Sequence, residues 1–491
     1  MWGVSKNMWG VKMNKMKGVA RLGRMVAVVV ALLSVVVPSE AFAAPRNKSQ
    51  VKYVFYFIGD GLGINHVRGA ELYNAKVHPE MANGGELSFT RFPVHTFITT
   101  HSATSLVTDS AAAGTALATG VKTINGYLGV DAEERPVKNI TEFVKERGWK
   151  VGICSNVGIN HATPSAFYAH CKKRSEYNYI IDRLIESDID FMAGSTILSR
   201  SKSGLKAQDI VEQARAAGIE VLQSADRAAE VRNKRVMLLS DSLDRKAMRF
   251  ATDRSESCPT IVDFTRAAIR YLEREAVDDG FMLMVEGGHI DYACHDNDAV
   301  TTFEEINDFS ASIAMAVEFA ERHPDQTLIV VTSDHETGGM AIGYSKYKMN
   351  MERLAFQRTS EEQLTLKMQH MRESGKVTWE DMQQLLSDYL GLWDKVTLRK
   401  KDEETLRRIF RDNFLQEGEK VVGLYTSNEK MAAEAVRILN KRAYVNWIGL
   451  SHTGAQVPLF VKGVGYERFM ECFDNTDVPK KIAEVIGGEL N

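Results

Sequence analysis

Four short segments of this chain are almost uniformly apolar, and each of them ends abruptly in acidic or small polar residues. They are residues 51–58, 150–153, 281–285 and 327–331. Strands without polar alternation are buried on both faces, which is typical of a parallel sheet covered by helices. This feature constrains the fold more than any other, because a sheet covered on both faces requires strands and helices to alternate along the chain.

Helical spacing of apolar residues occurs in residues 139–147, 258–276 and 302–322. The alternation with strands predicts βαβ units, and therefore a doubly wound α/β fold with a mainly parallel sheet and helices on both faces. Residues 346–445 differ, because they are rich in Lys, Arg, Glu, Gln and Met and contain four further segments of helical spacing, residues 360–371, 379–390, 403–415 and 429–442. We interpret them as a helical insertion, similar to a crown or cap, in an α/β body that comprises residues 44–345 and 446–491.

Residues 1–43 have the features of an export signal. Six cationic side chains precede a run of 13 mostly apolar residues, 25–37, and a small-residue site of sequence AFA follows. This order is typical of a cleavable signal peptide, and the apolar run is short for a membrane span of about 20 residues. We expect export to the periplasm or the extracellular space, with no stable membrane span after cleavage; an uncleaved anchor is the alternative.

The charge of the mature chain argues against a nucleic-acid partner. Removal of residues 1–43 takes away six cations and one carboxylate, which changes the net charge from −3 to about −8 and leaves no basic tract. The odd number of cysteines leaves at least one thiol unpaired within the chain, and their spacing is unlike that of a zinc knuckle. An exported chain could form one or two disulfides, but the sequence does not assign them. The cysteines are Cys154, Cys171, Cys258, Cys294 and Cys472.

Seven side chains suited to cation binding follow the predicted strands or lie close to them in the sequence. They are Asp60, Glu286, Asp291, His295, Asp334, His335 and His452. Each one alone is more simply interpreted as a turn, a helix cap or a structural histidine. Ligands of open α/β sheets gather beyond the carboxyl ends of the strands, and seven such groups at one edge would leave their charge unsatisfied without cations. Carboxylates and imidazoles without thiolates suit Zn²⁺ and, at an all-oxygen site, Mg²⁺.

The segment TDSAAAGTALATG, residues 108–120, predicts a helix that begins at Ser110 and ends near Gly120. A helix N-terminus offers free N–H groups and positive potential to a phosphate. A serine at this position can attack phosphorus if a cation lowers the pKa of its hydroxyl. The alternative interpretation is that Asp109 or Ser110 only caps the helix.

A third segment, NHATPSAFYAHCKKR, ends at Arg174. His161 and Thr163 precede Pro164, which suits the first turn of a helix. Arg174 comes about three helical turns later, and its planar guanidinium could bind two phosphate oxygens. Taken alone, Arg174 is more simply a solvated charge beside two lysines.

Together these segments resemble the alkaline phosphatase family over residues 51–345 and 446–465. The resemblance depends on the order and spacing of GDG after the first strand, the DSA serine, HATP, E-x4-D-x3-H, the DH pair and HTG. It implies an enzyme that hydrolyses phosphomonoesters and releases inorganic phosphate. It further implies a phosphoserine intermediate, two Zn²⁺ ions, one Mg²⁺ ion and a homodimer.

The resemblance also implies a role for each candidate residue. Ser110 corresponds to the phosphorylated nucleophile, and Arg174, held by Asp109, to the clamp on the substrate phosphate. The implied ligands of one Zn²⁺ are Asp291, His295 and His452. The implied ligands of the second Zn²⁺ are Asp60, Asp334 and His335. The implied Mg²⁺ site comprises Asp60, Thr163 and Glu286, with His161 near it.

Two departures from the family pattern stand out. Tyr292 occupies a position where relatives often have Lys or His, which bears on the pH optimum and on the third cation. The insertion is long, with 116 residues between His335 and His452. Two other functions remain open: a phosphodiesterase or sulfatase of the wider superfamily, and a binding protein without turnover. Glu286, Thr163 and Arg174 argue against the first, and the complete set of catalytic residues argues against the second.

Overall fold

The computed structural model describes residues 51–199, 206–240, 247–276, 279–345, 347–414, 420–422 and 427–491. The predicted signal peptide lies outside these residues. The described residues belong to one compact unit, Ser49–Asn491. Among them, no helix combines the length and the apolar character that crossing a membrane would require.

The strands and helices are numbered along the chain. The strands are β1 Tyr53–Gly59, β2 Val94–Ile98, β3 Lys150–Ser155, β4 Phe191–Gly194, β5 Glu220–Leu222, β6 Val236–Leu239, β7 Phe281–Gly287, β8 Thr327–Thr332, β9 Glu336–Thr337, β10 Ala341–Ile342, β11 Lys420–Val422, β12 Ser427–Glu429, β13 Val445–Asn446, β14 His452–Thr453 and β15 Val457–Gly463. The helices are α1 Ile64–Val77, α2 Ser110–Thr119, α3 Ile140–Lys145, α4 Ala162–Ser165, α5 Tyr177–Glu186, α6 Ala207–Ala216, α7 Ala225–Glu230, α8 Ile261–Glu275, α9 His289–His295, α10 Ala299–Arg322, α11 Glu361–Glu373, α12 Trp379–Leu390, α13 Lys400–Ile409, α14 Lys430–Ala443 and α15 Asp477–Ile486.

Nine strands form the central sheet in the order β2-β15-β8-β1-β7-β3-β4-β6-β5. All neighbours from β8 to β5 pair in parallel, whereas β15 is antiparallel to both of its neighbours. The predicted doubly wound, mainly parallel fold is therefore confirmed. The four apolar segments of the sequence are β8, β1, β7 and β3, four adjacent strands at the centre of the sheet, where both faces are covered.

Alternate residues of β1 show that both faces of the sheet are buried. Phe55 and Phe57 belong to one hydrophobic core, whereas Val54, Tyr56 and Ile58 belong to the other. All five side chains are fully shielded from solvent. The apolar run in the sequence is thus explained by two separate cores that contact the same strand from opposite sides.

The predicted insertion contains α11 to α14, whose apolar side chains join the same core as Phe55. Three of the four segments of helical spacing match their helices to within two residues. The segment 403–415 differs, because α13 begins earlier, at Lys400, and gives way to a π-helix at Phe410–Phe414. Asp402 and Glu403 lie in the first turn of α13, where negative charge stabilises a helix N-terminus.

All five cysteines lie within the described residues, and each of them is a free thiol. The alternative of one or two disulfides, which the sequence left open, is therefore not the arrangement in this structure.

Candidate active site

The strand ends bring the predicted cation ligands to one edge of the sheet. β1 and β7 are in register so that Ile58 lies opposite Glu286, and Asp60 follows the end of β1. Asp334 comes two residues after the end of β8, the other neighbour of β1. His452 lies on β14, where it pairs with Thr337 of β9.

Three groups of side chains present ligand atoms that all lie within 4.8 Å of one another. The groups are Asp291, His295 and His452; Asp60, Asp291 and His335; and Asp60, His161 and Glu286. Asp291 therefore belongs to two of these groups, and His161 belongs to the third. Asp334 lies beside the second group, with Oδ2 at 3.3 Å from Nε2 of His335. Thr163 adjoins the third group, and its hydroxyl donates to Oδ2 of Asp60 at 3.3 Å.

The polar atoms of this cluster fit divalent cations. Oδ1 of Asp60, Oε1 of Glu286 and Oδ2 of Asp334 are buried and make no hydrogen bond within the part of the chain that the structure describes. The same holds for Oδ2 of Asp291 and Nε2 of His452. A buried acceptor left without a donor costs about 1–3 kcal/mol, and a bound cation removes that cost. Oxygen and imidazole nitrogen without thiolate form a donor set suited to Zn²⁺ and Mg²⁺.

The carboxyl groups of the cluster repel one another strongly. Burial, together with the neighbouring carboxylates of Asp334 and Asp291, holds the pKa of Asp60 well above its usual range. Burial and the charge of Asp291 raise the pKa of Asp334 to about 8. Burial also acts to raise the pKa of Asp291, but the nearby histidines outweigh it and lower that pKa, with His295 contributing most. Without cations, these carboxyl groups can all remain ionised only at a large energetic cost.

Hydrogen bonds at Nδ1 orient the three imidazoles. Nδ1 of His295 lies 2.6 Å from the carbonyl oxygen of Leu450, and Nδ1 of His452 lies 2.9 Å from that of Thr108. A carbonyl only accepts, so each Nδ1 carries the proton and each Nε2 keeps its lone pair for a cation. His335 is oriented in a similar way, with Nδ1 at 3.2 Å from the hydroxyl of Thr337.

The Ser110 hydroxyl lies beside this cluster at the start of α2. Ser110 is fully buried, and its Oγ lies 3.2 Å from Nε2 of His335. Asp109 is the N-cap residue, since its Oδ1 accepts from the N–H of Ala112 at 3.0 Å. Gly120 ends the helix in the left-handed conformation that favours glycine. The predicted start and end of the helix are confirmed, and Asp109 rather than Ser110 provides the cap.

Arg174 is held next to Ser110 through Asp109. Its Nη1 donates to Oδ2 of Asp109 at 3.1 Å, and its Nη2 lies 3.2 Å from Nε2 of His161. The side chain is only 22% exposed, so it is not the solvated charge of the alternative interpretation. Asp109 therefore connects the start of α2 to the guanidinium.

Pro164 lies in the first turn of a helix, as predicted, but that helix does not continue to Arg174. α4 comprises only Ala162–Ser165, and Arg174 lies on a loop. Cys171 and Leu128 exchange two backbone hydrogen bonds of 2.8 Å, and the N–H of Arg174 donates to the carbonyl of Gly126 at 2.8 Å. These pairings with a segment some forty residues away replace the helical hydrogen bonds and fix the position of Arg174.

Two residues that touch the site, Ser155 and Thr337, were not indicated by the sequence, whereas Tyr292, which the sequence did single out, also lies beside it. Ser155 donates to Oε2 of Glu286, and Thr337 donates to Oδ1 of Asp291. The ring of Tyr292 lies edge-on to that of His161, with the ring centroids 6.0 Å apart. Ser155 could have been found, because it is the last residue of β3 and lies opposite Glu286 in the parallel register. Thr337 had no comparable signal.

Comparison with known proteins gives consistent matches over almost the whole described chain. Residues 51–487 match the family model described as alkaline phosphatase. Alkaline phosphatase 4 of Bacillus subtilis (strain 168) is 30% identical over 458 residues, which cover 91% of this chain and 91% of the relative. The structure of a cold-active alkaline phosphatase from the psychrophile Shewanella sp. superimposes with a TM-score of 0.72 at 25% identity and covers 89% of this chain and 100% of that chain. The structure of Thermus thermophilus alkaline phosphatase also gives a TM-score of 0.72, at 24% identity and with coverage of 89% and 92%.

Proposed function

This chain belongs to the alkaline phosphatase family of phosphoric monoester hydrolases, and we propose that it hydrolyses phosphomonoesters in two steps through a phosphoserine at Ser110. The observation that carries the proposal is the position of the Ser110 hydroxyl. It is buried at a helix N-terminus, 3.2 Å from His335 and beside a cluster of carboxylates and imidazoles.

We propose two Zn²⁺ ions and one Mg²⁺ ion at this cluster. Asp291, His295 and His452 would hold the first Zn²⁺. Asp60, Asp334 and His335 would hold the second Zn²⁺. Asp60, Thr163 and Glu286 would hold Mg²⁺, with His161 beside it. When bound, these cations supply the positive charge that lowers the pKa of a hydroxyl or a water and stabilises a departing oxygen.

The chain's own residues then perform two in-line displacements. Oγ of Ser110 forms a bond to phosphorus while the bond to the ester oxygen breaks, and the alcohol leaves with a proton. A water then attacks the phosphoserine, which releases inorganic phosphate and restores the Ser110 hydroxyl. The guanidinium of Arg174 binds equatorial phosphate oxygens, where charge is spread in the transition state, and Asp109 fixes its orientation.

We further propose that the protein is exported after cleavage between Ala43 and Ala44 and that it acts as a homodimer. The basic and apolar stretches of residues 1–43 support export. Mass spectrometry of the N-terminal peptide of the exported protein tests the cleavage site. Light scattering tests the homodimer.

A panel of esters tests the proposed activity. We expect the wild-type protein to hydrolyse a phosphomonoester much faster than a phosphodiester or a sulfate ester with the same leaving group. A monoester presents three non-bridging oxygens and nearly two negative charges to Arg174, whereas a diester presents two oxygens and one charge. A diester or a sulfate ester as the best substrate would contradict the proposal.

Arg174 should be the residue responsible for part of this preference. Replacing Arg174 with alanine should lower kcat/KM for the monoester about tenfold to a hundredfold, because a charge-assisted hydrogen bond contributes about 1.5–3 kcal/mol. The loss for a diester should be smaller, and inhibition by inorganic phosphate should weaken. Lys172→Ala is the matched control, since Lys172 is exposed and pairs with Glu134. Equal losses on both esters would show that Arg174 does not discriminate between them.

A further inference from the structure

We propose that His66, Glu336 and Thr453 form a positioning network that fixes the spacing of the first two cation sites and strengthens cation binding there. This inference rests on the proposed function, because it concerns the side chains that would bind the two Zn²⁺ ions. None of the three network residues belongs to the ligand groups described above.

Glu336 connects the segments that carry His335 and His452. It follows His335 directly, and its Oε2 accepts a hydrogen bond from the hydroxyl of Thr453, the residue after His452. Its Oε1 accepts from the N–H of Gly339 at 3.0 Å. In the short antiparallel pairing of β9 with β14, Thr453 lies opposite Glu336. The Glu336 carboxylate therefore connects the segment that carries His335, a ligand of the second Zn²⁺ site, to the segment that carries His452, a ligand of the first.

His66 adds the segment that carries Asp60. Its ring is fully buried on α1, and its Nδ1 accepts from the N–H of Gly63 at 2.8 Å. The neutral ring therefore carries its proton on Nε2, which lies 3.5 Å from Oε1 of Glu336. Burial lowers the pKa of His66 to about 3, which keeps the ring neutral. Gly63 is three residues from Asp60, so the network reaches a ligand of the second site.

The close approach of these segments requires glycine at position 63. A Cβ atom added to Gly63 would lie 2.4 Å from Cγ of Glu336, which is closer than such atoms can approach. The loop after Asp60 is thus packed directly against the Glu336 side chain. This contact transmits the position of Glu336 to the Asp60 loop.

The test compares Glu336→Gln with a matched control, Glu361→Gln. Glu361 is another buried carboxylate, on α11, whose Oε1 accepts from Nδ2 of Asn428 at 2.9 Å. Each full-length protein is loaded with Zn²⁺, its metal content is measured by mass spectrometry, and the transfer of Zn²⁺ to a chromophoric chelator is followed with time. We expect Glu336→Gln to release Zn²⁺ about tenfold faster than wild type or more. Glu361→Gln should release it at the wild-type rate.

Melting temperatures separate this role from a merely structural one. For Glu336→Gln we expect a clearly lower Tm than wild type in the loaded protein but a smaller decrease in the chelated protein, because the network acts by holding cation sites that are then empty. Thr453→Val, which keeps the side-chain shape, should show a smaller increase in the rate of release.

Three results would overturn the inference. One is a wild-type release rate in Glu336→Gln, and another is an equal loss of Tm in the loaded and chelated forms of that variant. The third, a wild-type protein that retains no Zn²⁺ after loading, would overturn the proposed function as well. The first two results leave the proposed function intact, so the two failures are distinguishable.

Discussion

Replacing Ser110 with alanine should lower kcat for a phosphomonoester by about a thousandfold or more, because the attacking hydroxyl is gone. The fold should be unaffected. The N-cap of α2 is Asp109, so the helix keeps its cap, and within the described residues the Ser110 hydroxyl has one hydrogen-bond partner, His335. We therefore expect Ser110→Ala to bind cations with wild-type stoichiometry and to melt near the wild-type temperature.

Acid quenching identifies the phosphorylated residue directly. After reaction of the wild-type protein with a ³²P-labelled monoester, peptide mapping should place the label on Ser110. Thr108→Ala is the matched control, since the Thr108 hydroxyl lies nearby but donates only to the carbonyl of Asp109. This variant should retain activity and label. Label on Thr108, or wild-type turnover by Ser110→Ala, would contradict covalent catalysis at Ser110.

The centre of the fold could be predicted from the sequence, whereas its edges could not. β8, β1, β7 and β3 are buried on both faces, so each appears as an apolar run that nothing else explains. β5 has only three residues, and β4 and β6 have four each. Strands this short contain too few positions for a periodicity to stand out. Their place in the sheet depends on pairing with β3 and with one another, which is a non-local property.

Part of the candidate site could likewise be predicted from the sequence, and part of it could not. Asp60, Glu286 and Asp334 could be expected to meet, because neighbouring parallel strands end at the same edge of the sheet. The loop position of Arg174 could not be predicted, because it depends on the pairing of Cys171 with Leu128. The contact between His66 and Glu336 joins residues 270 positions apart, and no local pattern marks either of them.

Removing the cations should abolish activity and lower Tm by about 10 °C. Saturating a site at a thousandfold excess over its Kd stabilises a protein by about 4 kcal/mol. The entropy of unfolding is about 2.1 cal/mol/K per residue, so three such sites together raise the Tm of a chain of this length by about 10 °C. Four buried carboxyl groups, those of Asp60, Glu286, Asp291 and Asp334, lose their counter-charge on chelation.

The raised pKa of Asp334 determines the direction in which the stability of the chelated protein changes with pH. The pKa of Asp334 is raised to about 8 in the cation-free fold, against 3.8 ordinarily. Between these values the folded chain holds a proton that the unfolded chain releases, so the stability of the chelated protein should fall as pH rises toward 8. Protons compete with cations for the same carboxylates, so the loaded protein should instead gain stability over that range. Calorimetry at pH 6 and pH 8.5 measures how the stability of the chelated protein and of the loaded protein changes with pH. In a separate assay, addition of Zn²⁺ with Mg²⁺ should restore activity to the chelated form. Full activity in a preparation shown by elemental analysis to be metal-free would contradict the cation sites, as would equal Tm values with and without chelator.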